Sequence, residues 1–337
     1  MIQRTKGAQS IVFAEAPYIM SSASVVGKKE NEGPLGELFD TFDATNLFGE
    51  ETWELAEGAM QREACVCALH KANVTPEQVR YLFGGDLLRQ GIATSMGAES
   101  LQIPLFGLFG ACSTSGEALA LAAMCVAAGY GERMLAVTSS HFGTAEKEFR
   151  FPLSYANQRP LSAQWTVTGS GAYVLGKRKS NACITGITTG KIMDYGIKDS
   201  MNMGAAMAPA AAKTISDFLD DTQTAADDYD LILTGDLGYT GSTLLHEVLA
   251  LEYHKNIKSV HNDCGLMIYD LKEQDVNSGG SGCGCSASVL CSHIMNKIND
   301  GKYNRVLFVA TGALMSPTSA KQGQPIPGIA HAVLIEN

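Results

Sequence analysis

The chain has 337 residues, 45% of them apolar and 18% charged, with a formal net charge of −10. This length and composition give a sizeable α/β core and exclude a disordered chain. The acidic balance argues against a nucleic-acid partner and against electrostatic docking on anionic lipid.

Taken from its start, "MIQRTKGAQSIVF" lacks the apolar run of a signal peptide, and no window reaches the length of a spanning helix. Nine cysteines in a mid-sized chain point to reduced thiols and synthesis in the cytoplasm, so any membrane association is expected through partners. Residues 53–73 read as a helix. They are followed by "VTPEQVRYLFGGDLLRQG" (74–91), an acidic loop, a short apolar strand and a turn at Asp86 and Arg89. "LFGACSTSGEALALAAMCVAAG" (108–129) places Cys112 at the start of a buried helix, and "RMLAVTSS" then reads as a strand covered on both faces. His141 stands at the end of that strand. Lys147, Arg150 and Arg159 lie in the loop after it, and "VTGSGAYVL" (167–175) closes the first part.

The same order then returns. Residues 207–221 match the first helix, and "TAADDYDLILTGDLGYTG" (224–241) matches 74–91, with Asp236 answering Asp86. "GCGCSASVLCSHIMNKINDGKYNRVLFVATGA" (282–313) matches 110–140, and "GIAHAVLIE" (328–336) echoes "GSGAYVLGK" (169–177). The chain therefore reads as a duplicated α/β unit, divided into 1–180 and 181–337.

These blocks resemble the thiolase superfamily of ketoacyl synthases and thiolases. The resemblance implies a five-layer αβαβα fold with two pseudo-equivalent halves, a homodimer, and a cysteine at the N-terminus of a central helix, as in "GACSTSGEAL". "FGGDLL", "TSSHFGTAEKEFRFPLSY", "LTGDLGYTG" and "HNDCGLMIYD" further resemble the stage V sporulation protein AD family of spore-forming bacteria. That likeness implies binding of dipicolinic acid, alone or as its calcium chelate. It also implies membrane subunits of the spore dipicolinate channel as partners, and a place at the periphery of the spore inner membrane.

A helix N-terminus favours an anion, so the Cys112 thiol pKa is expected to fall there. Condensation also needs polar donors, and the resemblance places a histidine and an asparagine beside the cysteine. "TGDLG" puts Asp236 in the histidine place and "GCGCSASV" puts Cys283 in the asparagine place, so the constellation is incomplete. A carboxylate there raises a thiol pKa and repels an oxyanion. The expectation is a binding protein without catalysis; the alternative is an acyl-CoA or acyl-ACP acyltransferase using Cys112 with His141. His261 is a weaker pocket candidate.

For a flat dianion, the expected contacts are the helix end at Cys112, Ser113 and Thr114, and the strand end at Ser139, Ser140 and His141. Cys283 and Gly284 face the same pocket, and a turn at Gly312 offers a further N–H. Arg89 and Arg150, with Lys147 and Arg159 behind them, are the balancing cations. Asp86 and Asp236 read as turn caps, with a calcium contact as the other option. The Cys283-x-Cys285 spacing is not a zinc signature, "TGSGAY" is not a dinucleotide fingerprint, and no metal or cofactor is implied.

Overall fold

The computed structural model describes residues 4–149, 153–155 and 158–337. Most of the described strands join in one large mixed sheet, ten of them in a continuous path, while Trp165–Thr166 and Gly280–Ser281 pair in parallel apart from it. The first five are β1 (Tyr18–Gly27), β2 (Tyr81–Asp86), β3 (Leu105–Gly107), β4 (Arg133–Ser140) and β5 (Gly169–Gly176). The second five are β6 (Cys183–Thr188), β7 (Leu231–Thr234), β8 (His261–Asp263), β9 (Arg305–Ala313) and β10 (Gly328–Glu336). Along the sheet the order is β8-β7-β9-β10-β6-β1-β5-β4-β2-β3. Outward from the junction, β1-β5-β4-β2-β3 and β6-β10-β9-β7-β8 are the same permutation. The two runs meet at one register pair, Cys183 with Tyr18.

The helices follow the same rule. Each run has a long helix after its first strand, α1 (Trp53–Ala72), and a shorter one after its second, α2 (Ile92–Glu99). A helix after the third strand, α3 (Thr114–Ala127), lies in the middle of the molecule. After β4 comes the short α4 (Phe142–Phe149). The counterparts in the second run are α5 (Met203–Thr222), α6 (Gly238–Glu252) and α7 (Cys283–Val289). Even the ends agree. Thr52 and Asn202 accept from N–H groups of the first turn, while Asn73 and Gln223 close α1 and α5 with left-handed φ of 53° and 57°.

Layering follows from which faces are apolar. α1 packs on β1, β5 and β4, and α5 packs on β10, β9 and β6. Between the runs, α3 touches β4 and β2 of one and β10 and β9 of the other, with α7 beside it. This gives five layers, helix–sheet–helix–sheet–helix. The central core joins Leu119, Ala122 and Ala123 of α3 to Phe83 and Tyr173 on one side and Phe308 and Val333 on the other. β4 and β9 are buried along nearly their whole length, as expected from their unbroken apolar runs.

Paired glycines set the outer helix crossings. A Cβ on Gly97 of α2 would stand 2.5 Å from the carbonyl oxygen of Gly58 on α1. A Cβ on Gly204 of α5 would stand 2.8 Å from the backbone nitrogen of Gly241 on α6. Gly97→Ala is expected to force α1 and α2 apart and cost roughly 1–3 kcal/mol. A thermal melt lowered by several degrees checks this; an unchanged melting temperature would show that the crossing is not limited by backbone contact.

Candidate functional site

The turn before α3 creates the site. Ala111 takes a left-handed φ of 52°, an uncommon conformation for a residue with a Cβ, and Cys112 follows it into a cavity. The turn is held from within. Thr114 Oγ1 accepts from Gly110 N at 2.9 Å and donates to the Ala111 carbonyl at 2.7 Å, and Ser113 Oγ donates to the Gly110 carbonyl at 2.7 Å. The hydroxyls of Ser113 and Thr114 are therefore consumed by the turn, and neither residue lines the cavity.

The cavity has a volume of about 70 Å3 and opens to solvent at its mouth. Cys112, Ser281 and Thr166 supply polar atoms, and Leu87, Leu88, Met201, Met203, Ala313 and Met315 supply apolar wall. Arg89, Gln90, Glu146, Glu148, Phe149 and Ser200 also line it, with Ala111, Ala145 and Pro317. Among the described lining residues, Arg89 carries the positive charge. None of the described lining residues is a histidine or an asparagine.

Behind Cys112 lies Asp236, fully buried. Its Oδ2 accepts from Ser281 Oγ at 3.1 Å and Gly282 N at 2.8 Å, and its Oδ1 accepts from Thr311 Oγ1 at 2.7 Å. Ser281 Oγ in turn lies 4.0 Å from Cys112 Sγ. Burial, and then the Asp236 carboxylate, hold the Cys112 thiol well above the usual range. The expected fall at the helix N-terminus is reversed, because burial and a neighbouring anion outweigh the dipole. Asp236 is itself pushed up by burial, against the donors that surround it.

The other expected contacts divide by position. Asp86 caps the turn after β2, accepting from Leu88 N at 3.1 Å and from Thr94 N and Oγ1 at 2.9 Å. Asp236 departs from that reading. The N–H groups of Leu237 and Gly238 are taken by Asp263, at 2.8 and 3.0 Å. Ser139 Oγ donates to Glu57 at 2.9 Å, and Ser140 Oγ donates to the Val167 carbonyl at 2.7 Å while accepting from Gly284 N at 3.2 Å. His141 Nε2 meets the Asn46 carbonyl at 2.8 Å, and its Nδ1 accepts from Gly143 N at 3.0 Å. Its ring also packs on Trp53, so both nitrogens are committed away from Cys112.

Cys283 donates its thiol proton to the Ser139 carbonyl. Gly312 lies inside β9, paired with Ile329, and is not a turn; its backbone packs against Gly110 and Ser113. Lys147 pairs with Glu54, and Arg159 donates to the Asp275 carbonyl at 2.6 Å while covering the Trp165 ring. Arg150 lies outside the described residues. Of the expected contacts, the cavity brings together Cys112 and Arg89. Ser281, Thr166 and Glu146 enter it without an advance signal beyond the polar residues that precede the "GCGCSASV" and "VTGSGAY" blocks.

The model of the stage V sporulation protein AD family matches residues 7–336, and the chain belongs to that family. It is 46% identical over 331 residues to stage V sporulation protein AD of Bacillus subtilis (strain 168), covering 98% of this chain and 97% of that protein. Similar solved structures include 3-oxoacyl-[acyl-carrier-protein] synthase III from Aquifex aeolicus VF5, with 15% identity and a TM-score of 0.58 over 95% of this chain and 100% of that one. Human mitochondrial 3-ketoacyl-CoA thiolase in complex with CoA is 12% identical, with a TM-score of 0.60 over 97% and 99% of the two chains. Cerulenin-bound OleA of Xanthomonas campestris is 13% identical, with a TM-score of 0.61 over 96% and 98%. At these identities the likeness is one of fold, and the fold is thiolase-like.

Two predictions follow from the buried acids. Asp236→Asn removes the charge beside Cys112, so alkylation of Cys112 by iodoacetamide at pH 8 should accelerate roughly ten-fold for each unit the thiol pKa falls. Equal rates in both proteins would show that burial alone sets the thiol. Glu57 is the second case. Burial and the nearby Asp86 push its carboxyl up to about 8, while Ser139 and Thr144 donate to it. A raised carboxyl favours the fold while protonated. That stability is present at acid pH and is lost as pH rises from the unfolded value, near 4.5, through about 8. Glu57→Gln should flatten the decline in denaturation midpoint across this window, and an unchanged slope would assign the decline to other groups.

Proposed function

We propose that the chain binds dipicolinic acid non-covalently in the Cys112 cavity and serves uptake of dipicolinate into the developing spore. Family membership supports the sporulation setting. The observation that carries the chemical reading is Asp236, whose carboxylate stands behind Cys112 where the fold resemblance gives a histidine. A neutral thiol is a poor nucleophile, and an adjacent anion opposes the charge that develops on a thioester oxygen. The same residues leave a mostly apolar slot with a guanidinium in its lining, which suits a flat aromatic carboxylate.

Under this reading Arg89 takes one carboxylate, Leu87, Leu88 and Met203 flank the ring, and Cys112 and Ser281 meet its inner edge. Glu146 and Glu148 give the wall acidic oxygens that accommodate the calcium chelate better than the free dianion. Membrane subunits of the dipicolinate channel are the proposed partners, and they hold the protein at the inner spore membrane. Among the described residues no helix is long and apolar enough to cross a membrane. The proposed homodimer forms across the free edge of β3, where Leu105 is 40% and Phe106 50% exposed.

Calorimetric titration with dipicolinate, with and without calcium, tests the reading against benzoate and an acyl-CoA. Saturable heat is expected for dipicolinate. Arg89→Ala should weaken it by about 1 kcal/mol, roughly five-fold, since this guanidinium is exposed. Binding of acyl-CoA in its place, with an acyl adduct on Cys112 that turns over, would return the protein to the acyltransferases.

A further inference from the structure

On the far side of the second run, away from the Cys112 cavity, two histidines face one another. His246 projects from α6, and His261 opens β8 at the edge of the sheet. His246 Nε2 and His261 Nδ1 are 3.0 Å apart, with the rings at 86° and their centroids 4.8 Å apart. Both residues are partly exposed. The outer nitrogen of His261, Nε2, meets Thr234 Oγ1 at 2.9 Å, and that hydroxyl donates to Asp263 Oδ2 at 2.6 Å. One proton order satisfies the chain: His246 donates to His261, His261 to Thr234, and Thr234 to Asp263.

From this geometry we propose that His246 and His261 form a binding site for a divalent late transition metal, of the nickel or copper class. Two metal–nitrogen bonds of about 2.1 Å span 3.0 Å when they meet at roughly 90°. Tetrahedral zinc, with angles near 109°, needs its nitrogens about 3.4 Å apart. A right-angled pair is the geometry of square-planar and octahedral ions. In the absence of the ion these nitrogens face one another across their hydrogen bond, and turning each ring to aim its nitrogen off that line brings both onto one ion.

The surroundings of the pair fit the same reading. A metal-bound imidazole is commonly fixed through its other N–H by a hydrogen bond leading to a carboxylate, and the His261–Thr234–Asp263 chain supplies that support. Binding requires no net proton loss. The shared proton on His246 Nε2 is replaced by one on Nδ1, while His261 keeps its Nε2 proton on Thr234. Among the described residues no group of three or more His, Cys, Asp or Glu converges, so water completes the coordination shell. The charged neighbour Lys258 opposes a cation here; its ammonium already lowers the pKa of His246, after burial. A bound ion would tie α6 to the sheet edge at β8.

Equilibrium dialysis of the whole, reduced protein against nickel chloride, with a parallel thermal melt, tests the site. One nickel ion per chain and a raised melting temperature are expected. His246→Ala and His261→Gln should each weaken binding at least ten-fold, and Lys258→Gln should tighten it. His246 lies on a helix surface, so its variant keeps the test open if the His261 variant fails to fold. No nickel retained at equimolar concentration, or retention unchanged in His246→Ala, would overturn the proposal. Zinc held more tightly than nickel would overturn the right-angled assignment.

Discussion

A carboxylate with no access to water must be surrounded by donors, and at Asp236 the donors come from separate parts of the chain. Thr311 belongs to β9, and Ser281 and Gly282 to the segment entering α7. Gln164 joins through its amide, which donates to the Asp236 backbone carbonyl at 2.7 Å and to that of Gly280 at 2.7 Å. The end of β7, the end of β9 and the start of α7 are therefore fixed to one point. Cys112 and the cavity lie directly over it. Removing the carboxylate would leave two hydroxyls and an N–H without their acceptor, so the cavity floor and the local fold are one construction.

The duplication explains both the strength and the asymmetry of this arrangement. Two copies of one unit bring equivalent strand ends to the same middle layer, so each function of a strand end has two candidate residues. Asp86 and Asp236 occupy matched positions, yet one caps a turn and the other enters the site. The difference lies in the neighbours. Thr94 approaches Asp86 from α2, whereas Asp263 occupies the corresponding N–H groups in the second run and releases Asp236 from that task. Buried acids then accumulate: Glu57 with Asp86 on one side, Asp236 with Asp263 on the other. Each is held up by burial and further raised or restrained by its neighbours.

The architecture was legible because it is written twice. Four blocks in the same order, two unbroken apolar strands and a small-residue helix between them are features of local sequence, and burial turns them directly into layers. The site was legible only where a side chain's direction follows from its place in an element. Cys112 qualifies, whereas Asp236 was placed beside it by the family resemblance, its position in the turn alone pointing to a cap. Ser139 and Ser140 do not qualify, because alternation along β4 sends one toward Glu57 on α1 and its neighbour toward Gly284 on α7. Polar residues beside a catalytic-type cysteine look like a donor cluster in one dimension, but Ser113 and Thr114 spend their hydroxyls on the turn that presents it. Met201, Met203 and Met315 meet only through tertiary packing, and no spacing announces that.

The floor of the cavity also limits what it can recognise. Ser281 gives its proton to Asp236, so the hydroxyl presents lone pairs toward Cys112 and the cavity interior. Thr166 likewise donates to Glu146, at 2.8 Å. Two of the polar groups along the lining are thus oriented as acceptors, the opposite of an oxyanion hole, which needs donors aimed at developing negative charge. An anion entering this cavity finds its complementary charge at Arg89 and its apolar contact along the leucine and methionine walls. Under the proposed reading, the acceptor-rich floor opposes deeper entry of a carboxylate. That polarity is what the proposed reading rests on: a carboxylate held near the entrance by Arg89, over a floor unsuited to activating a thioester at the cysteine.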